Sequence, residues 1–174
     1  MARVKFLMME ETDPAIKDMF RKMEENGFPI LNLFKVIAHS PKIGQCFIRM
    51  GNAILFRGEI SPILRELAIL RVGKLNQANY EVTQHVPIAL QAGVTQEQID
   101  ALANWESSPK FDEQERAVLY YTDEVTQNIR VKDDTFAKLR GFLNEQKIVE
   151  LTLTIGYYAM VCRLLEALQI ELEK

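Results

Sequence analysis

Ser61-Pro62-Ile63-Leu64-Arg65-Glu66-Leu67-Ala68-Ile69-Leu70-Arg71, followed after a short break by Asn79-Tyr80-Glu81-Val82-Thr83-Gln84-His85-Val86-Pro87-Ile88, decides how the rest of the chain is read. Ser61 is a capping residue type directly before a proline, and proline suits the first helical position because its missing amide would have no intrahelical partner there. Leu64, Leu67, Ala68, Leu70 and Arg71 then recur at helical spacing, so a helix is expected from Ser61 to about Asn76. Asn79 can cap a second helix through Tyr80, Glu81, His85 and Ile88 to Gln91, with Gly93 where a left-handed stop belongs. Pro87 lies inside that helix and lacks the amide that would bond the Thr83 carbonyl, which gives the helix a reason to kink beside His85.

The same punctuation continues outward. Thr12-Asp13-Pro14 opens an amphipathic helix with Ile16, Met19, Phe20 and Met23 on one stripe and Gly27 at its stop. Pro29 to His39 is a short apolar segment, and Ser40-Pro41 starts a helix to about Arg57. Thr95 with Gln98 and Asp112 with Glu115 have the spacing of capping boxes, opening a short helix and a longer one to about Asn128. Asp133 or Asp134 can start a helix to about Leu143, and Asn144 can cap a strongly apolar one from Glu145 to about Leu172. No stretch alternates with the period of a half-buried strand, and Arg65-Glu66-Leu67 resembles Val149-Glu150-Leu151 too slightly to be a repeat. The expectation is an all-α, single-domain helical bundle over residues 1–174, with about seven to eight helices.

Composition narrows the partners. A 174-residue chain that is 48% hydrophobic and 26% charged can bury one continuous core. A net charge of -3 gives no global positive field, so nucleic acid is not expected as a partner. Phe6 to Met9 is too short an apolar run for a signal or a membrane span, which points to a cytoplasmic protein with no membrane association. The two cysteines, Cys46 and Cys162, are far apart; they form no Cys-x-x-Cys and are expected as buried small hydrophobes.

Chemistry concentrates in the opening stretch. Glu81 and His85 are four residues apart, hence neighbours on one helix face, with Tyr80 and Gln84 beside them. A carboxylate next to an imidazole can transfer protons, the anion raising and burial lowering the imidazole pKa; the plain alternative is a surface ion pair. Arg65 or Arg71 can hold an anionic substrate, or be an ordinary surface cation. Tyr157 and Tyr158 can line a pocket, or simply pack. His39, before Ser40-Pro41, suits a helix C-terminus, where its charge favours the dipole. Glu66, Glu81 and His85 also make up a two-carboxylate, one-histidine set, but without a metal-binding spacing, and no metal is expected.

Leu64 to Gly93, with Arg65-Glu66, Arg71-Val72-Gly73-Lys74-Leu75-Asn76, Tyr80-Glu81, His85 and Ala92-Gly93-Val94, resembles the core motif of the carboxymuconolactone decarboxylase superfamily. Ala38-His39-Ser40-Pro41, Glu150-Leu151 and Gly156-Tyr157-Tyr158 extend the likeness over most of the chain. The resemblance implies an alkylhydroperoxidase D-like fold. The redox branch of that superfamily carries a glutamate, a Cys-x-x-Cys and a histidine; the glutamate falls on Glu66, the histidine on His85, and the cysteine positions on Ala78 and Glu81. Without an attacking and a resolving thiol, dithiol peroxide reduction has no route here. The Tyr-Glu-x-x-x-His form is similar to the decarboxylase-like branch instead. What it implies is a cofactor-free lyase acting on a small, anionic, carboxylated lactone or keto acid by general acid-base chemistry, with Glu66, Glu81 and His85 catalytic and Arg65, Arg71, Tyr80, Tyr157 and Tyr158 binding substrate. It also implies a homo-oligomer, a trimer or hexamer. The alternatives are an antioxidant protein working without the cysteine pair and a non-catalytic oligomeric binding protein.

Overall fold

The computed structural model describes residues 2–173, and among them the chain forms nine α-helices and two short 3-10 segments, with no strand. The all-α expectation holds, and the helix count among the described residues rises above seven or eight because the short apolar segment Pro29 to His39 contains a helix of its own, Asn32–Ile37. The chain packs as two compact units, one made of residues up to Arg57 together with the segment from Leu165, the other of Gly58–Leu164.

The first unit contains α1 (Pro14–Glu25), α2 (Asn32–Ile37) and α3 (Pro41–Arg57). The Asp13 side chain accepts the Ala15 amide and Pro14 takes the first position of α1, as its sequence indicates. Ile16 and Phe20 are fully buried, with Met19 and Met23 packed alongside, so the amphipathic stripe is the core face. Gly44 lets α3 approach α2, since a Cβ there would lie 2.7 Å from the Ile37 Cγ2. Cys46 corrects an expectation: it is exposed on α3, because the buried face of that helix is carried by Gly44, Ile48 and Gly51. Nε2 of His39 lies 2.9 Å from the Lys5 carbonyl, at an exposed position after α2.

The second unit holds α4 (Pro62–Leu75), α5 (Asn79–Ala92), α6 (Gln96–Ala101), α7 (Glu113–Asn128), α8 (Asp133–Arg140) and most of α9 (Glu145–Leu168). Leu67 and Leu70 of α4 pack with Ala89, Ile99, Leu102, Trp105 and Leu119 in its core. Buried residues ring α4, from Leu64 through Leu70 and then Val72 and Gly73, as befits a central helix. α4 and α5 run antiparallel: Ile63 meets Gly93, Glu66 meets His85, and Gly73 lies against Val82. A Cβ on Gly73 would come within 2.9 Å of the Val82 Cγ2, so glycine sets how closely the two helices pack. Gly93 ends α5 at φ 107, the left-handed stop its position suggests, and α5 continues through Pro87.

Both capping boxes form, Thr95 with Gln98 and Asp112 with Glu115. Three helix ends differ from the sequence reading. Ala78 rather than Asn79 occupies the cap of α5, α8 starts at Asp133 as expected but stops at Arg140 instead of near Leu143, and α9 stops at Leu168, where Gln169 turns into the left-handed region at φ 52. Asn144 does cap α9, its Oδ1 accepting the Lys147 amide. α9 has 24 residues, and an 18-residue stretch within it has a mean hydropathy of 1.5, so it is long and apolar enough to cross a membrane by length and composition. Within its unit, however, Leu151, Ile155, Tyr158 and Cys162 recur at spacings of four and three and are all buried, the pattern of a core helix.

Candidate proton-transfer site

A carboxylate at Glu66 must enter the core, because α4 is buried all round; its relative exposure is 0%. Burying an ionised carboxylate costs several kcal/mol unless it is paired, so the surrounding charges explain its presence. Two partners meet it. The neighbouring Arg65 donates from Nε to Oε1 at 3.0 Å, and Nδ1 of His85, on the facing helix, lies 2.8 Å from Oε2. The other edge of the same imidazole, Nε2, lies 3.1 Å from Oε1 of Glu81, one turn earlier on α5. Arg65, Glu81 and His85 are all buried. Glu81 sits in the first turn of α5, where the helix dipole favours an anion.

The imidazole is thus bracketed by two carboxylates. Burial alone pulls the His85 pKa down, but the hydrogen bonds to Glu66 and Glu81 and the charges of both overturn this and carry it up to about 9. At neutral pH the ring is an imidazolium with both N–H groups donating. Arg65 and His85 then balance Glu66 and Glu81 in charge. Tyr158 of α9 meets the His85 ring edge to face at 4.8 Å between centroids, and Tyr157 packs on Tyr158 at 5.2 Å. Burial pushes both phenols above their ordinary pKa, with Glu81 adding to it, so they stay O–H donors through the neutral range. Tyr80 is buried on α5 next to Glu81.

Of the eight residues singled out in the sequence, Arg65, Glu66, Glu81, His85, Tyr157 and Tyr158 are therefore linked in one cluster on three helices of one unit, and Tyr80 is buried on the same helix as His85. Arg71 does not join them. Its Nε and Nη2 form a two-pronged pair with Asp123 of α7, at 2.6 and 2.8 Å, and its Nη1 donates to the Leu102 carbonyl. Trp105 Nε1 donates to the same Asp123 carboxylate at 3.2 Å. That arrangement ties α4, α7 and the 3-10 segment Leu102–Ser107 together, a packing role. Asp123 had drawn no attention in the sequence; an acidic residue directly after the apolar run Val118 to Thr122 was the available signal.

The geometry also bears on metal binding. Glu66 and Glu81 reach opposite nitrogens of the ring, so the three side chains do not converge on one point. Among the described residues no group of three His, Cys, Asp or Glu side chains is arranged to hold an ion. What the arrangement can do is hold a proton in a dry setting and pass it along a line of three groups, carboxylate to imidazole to carboxylate.

Comparison with known proteins agrees with the fold. Residues 41–124 match the carboxymuconolactone decarboxylase family, a span that includes Arg65, Glu66, Tyr80, Glu81 and His85. The chain is 27% identical over 102 residues to the uncharacterized protein YdfG of Bacillus subtilis (strain 168), covering 58% of this chain and 69% of that one. A crystal structure of a protein of unknown function from Agrobacterium tumefaciens superimposes with a TM-score of 0.72 at 26% identity, over 78% of this chain and 94% of its own. The alkylhydroperoxidase AhpD core of an uncharacterized peroxidase-related protein from Ralstonia eutropha JMP134 superimposes with a TM-score of 0.87 at 17% identity, over 99% and 93%.

Proposed function

For a chain whose residues 41–124 match the carboxymuconolactone decarboxylase family and which has the AhpD-like fold, we propose a cofactor-free lyase that decarboxylates a small carboxylated lactone or keto acid. The observation that supports this reading is the imidazole of His85 bracketed by Glu66 and Glu81 in a buried setting. In the proposed reaction the bond from the substrate carboxylate to its α-carbon breaks, carbon dioxide leaves, and the electron pair moves into the adjacent carbonyl as an enolate. A proton must then reach carbon. His85 passes its Nε2 proton to Glu81, which delivers it, and Glu66 holds the Nδ1 proton so that the ring keeps one orientation; solvent restores the proton afterwards. The buried surroundings desolvate the substrate carboxylate, and the Tyr157 and Tyr158 hydroxyls are donors for the developing enolate oxygen.

Peroxide reduction through a thiol pair is not part of the proposal, since Ala78 and Glu81 stand where the redox branch has cysteines. The test is a screen of unsaturated lactone acids and keto acids with carbon dioxide release followed directly, on the wild type and on Glu66→Gln and His85→Asn. Both variants are expected to stay folded while losing at least about a hundredfold in turnover, the usual scale for a general acid or base. Equal loss of stability and activity, with no selective fall in turnover, would reduce the cluster to a structural ion pair.

A further inference from the structure

A concave site lies in the Gly58–Leu164 unit, on residues that the proton-transfer cluster does not use. Glu113, Arg116, Ala117 and Tyr120 recur at spacings of three, one and three on one face of α7, opposite Lys138 of α8 and Gly141 and Phe142 just after it. Between them is a cavity of about 550 Å³, within the range that takes small molecules. Two of its lining residues, Ala117 and Gly141, put almost no side chain into it.

Its charges are uneven. Arg116 donates to three backbone carbonyls, those of Phe111, Glu106 and Ser108, through Nε, Nη1 and Nη2. A guanidinium has five N–H groups, so two remain, one on each terminal nitrogen, and among the described residues it pairs with no carboxylate. The ammonium of Lys138 sits over the Tyr120 ring at 5.7 Å from its centroid and also pairs with no carboxylate there. Against these two cations the lining has one carboxylate, Glu113. The walls supply flat surface: the Tyr120 ring is itself fixed edge to face against Trp105 at 4.5 Å, and Phe142 faces the same space.

We propose that this cavity between α7 and α8 binds a small aromatic carboxylate, its ring packed on Tyr120 and Phe142 and its carboxylate held by Lys138 and the spare N–H groups of Arg116. An aromatic ring of one or two cycles fits the volume, and a single negative charge offsets the surplus of one cation. Recognition rests on both halves of the ligand. A neutral ring lacks the charge-assisted hydrogen bonds, and an inorganic anion lacks the stacking surface.

The probe is benzoate, titrated into the ¹⁵N-labelled full chain with amide shifts followed by NMR, beside benzamide as the neutral equivalent. Saturable shifts confined to 113–120 and 138–142 are expected, with benzamide about tenfold weaker. Lys138→Gln, an exposed substitution that leaves the core alone, is expected to weaken benzoate about tenfold; Tyr120→Leu is expected to weaken both ligands. Shifts centred on Tyr80, Glu81 and His85, equal affinity for benzoate and benzamide, or benzoate affinity unchanged in Lys138→Gln would each overturn the assignment.

Discussion

At the scale of single residues, one proton on one imidazole governs both stability and chemistry. The folded pKa of His85, about 9, lies above the ordinary value of 6.5. Its stabilising contribution is therefore fully present below pH 6.5 and is lost as pH rises through about 9, a contribution of at most a few kcal/mol for such a coupled group. Denaturant unfolding of the wild type should show stability falling between those limits, and His85→Asn should flatten the fall. Activity should lose its acid over the same alkaline range. Asp123 makes a separate prediction. Removing its charge leaves Arg71, whose side chain is only 12% exposed, without an anion, so Asp123→Asn should cost about 1–3 kcal/mol. If chemical denaturation gave no loss, the packing role assigned to the pair would be wrong.

At the scale of elements, the α4–α5 pair makes the site, and it depends on a glycine. Gly73→Ala would push Val82 away and shift α5 along with Glu81 and His85, so it should destabilise the fold by about 1–3 kcal/mol and lower turnover at the same time. Thermal unfolding and carbon dioxide release measured on the same preparation check both effects. These two helices were legible in the sequence because proline, glycine and the apolar spacing all agreed on where they lie, and the antiparallel connection put Glu66 opposite His85. The ends were harder to read. Asn79 has a good capping side chain, yet Gln77 in the left-handed region at φ 54 moves the cap onto Ala78. The role of Arg71 was not legible at all, because its partner Asp123 is fifty-two residues away and only packing brings the two together. The α7–α8 cavity was equally hidden, since small residues such as Ala117 and Gly141 leave no mark on periodicity.

At the scale of the whole molecule, the expected homo-oligomer rests on exposed apolar residues within each unit. Val149, Leu153 and Met160 lie at spacings of four and seven on α9 at 56%, 49% and 45% exposure, and Ile43 on α3 is 71% exposed. Stripes of this kind on a helix favour association. Sedimentation at micromolar concentration should give a trimer or hexamer, and Leu153→Asp should lower the assembly state; a stable wild-type monomer would refute the expectation. The proposed chemistry turns on the proton that His85 holds between two carboxylates, and histidine-selective ¹⁵N NMR reads it directly. In a His39→Asn background His85 is the one remaining histidine. Both ring nitrogens should carry protons at pH 7 and release one only near pH 9; a ring already neutral at pH 7, with one bare nitrogen, would contradict the account.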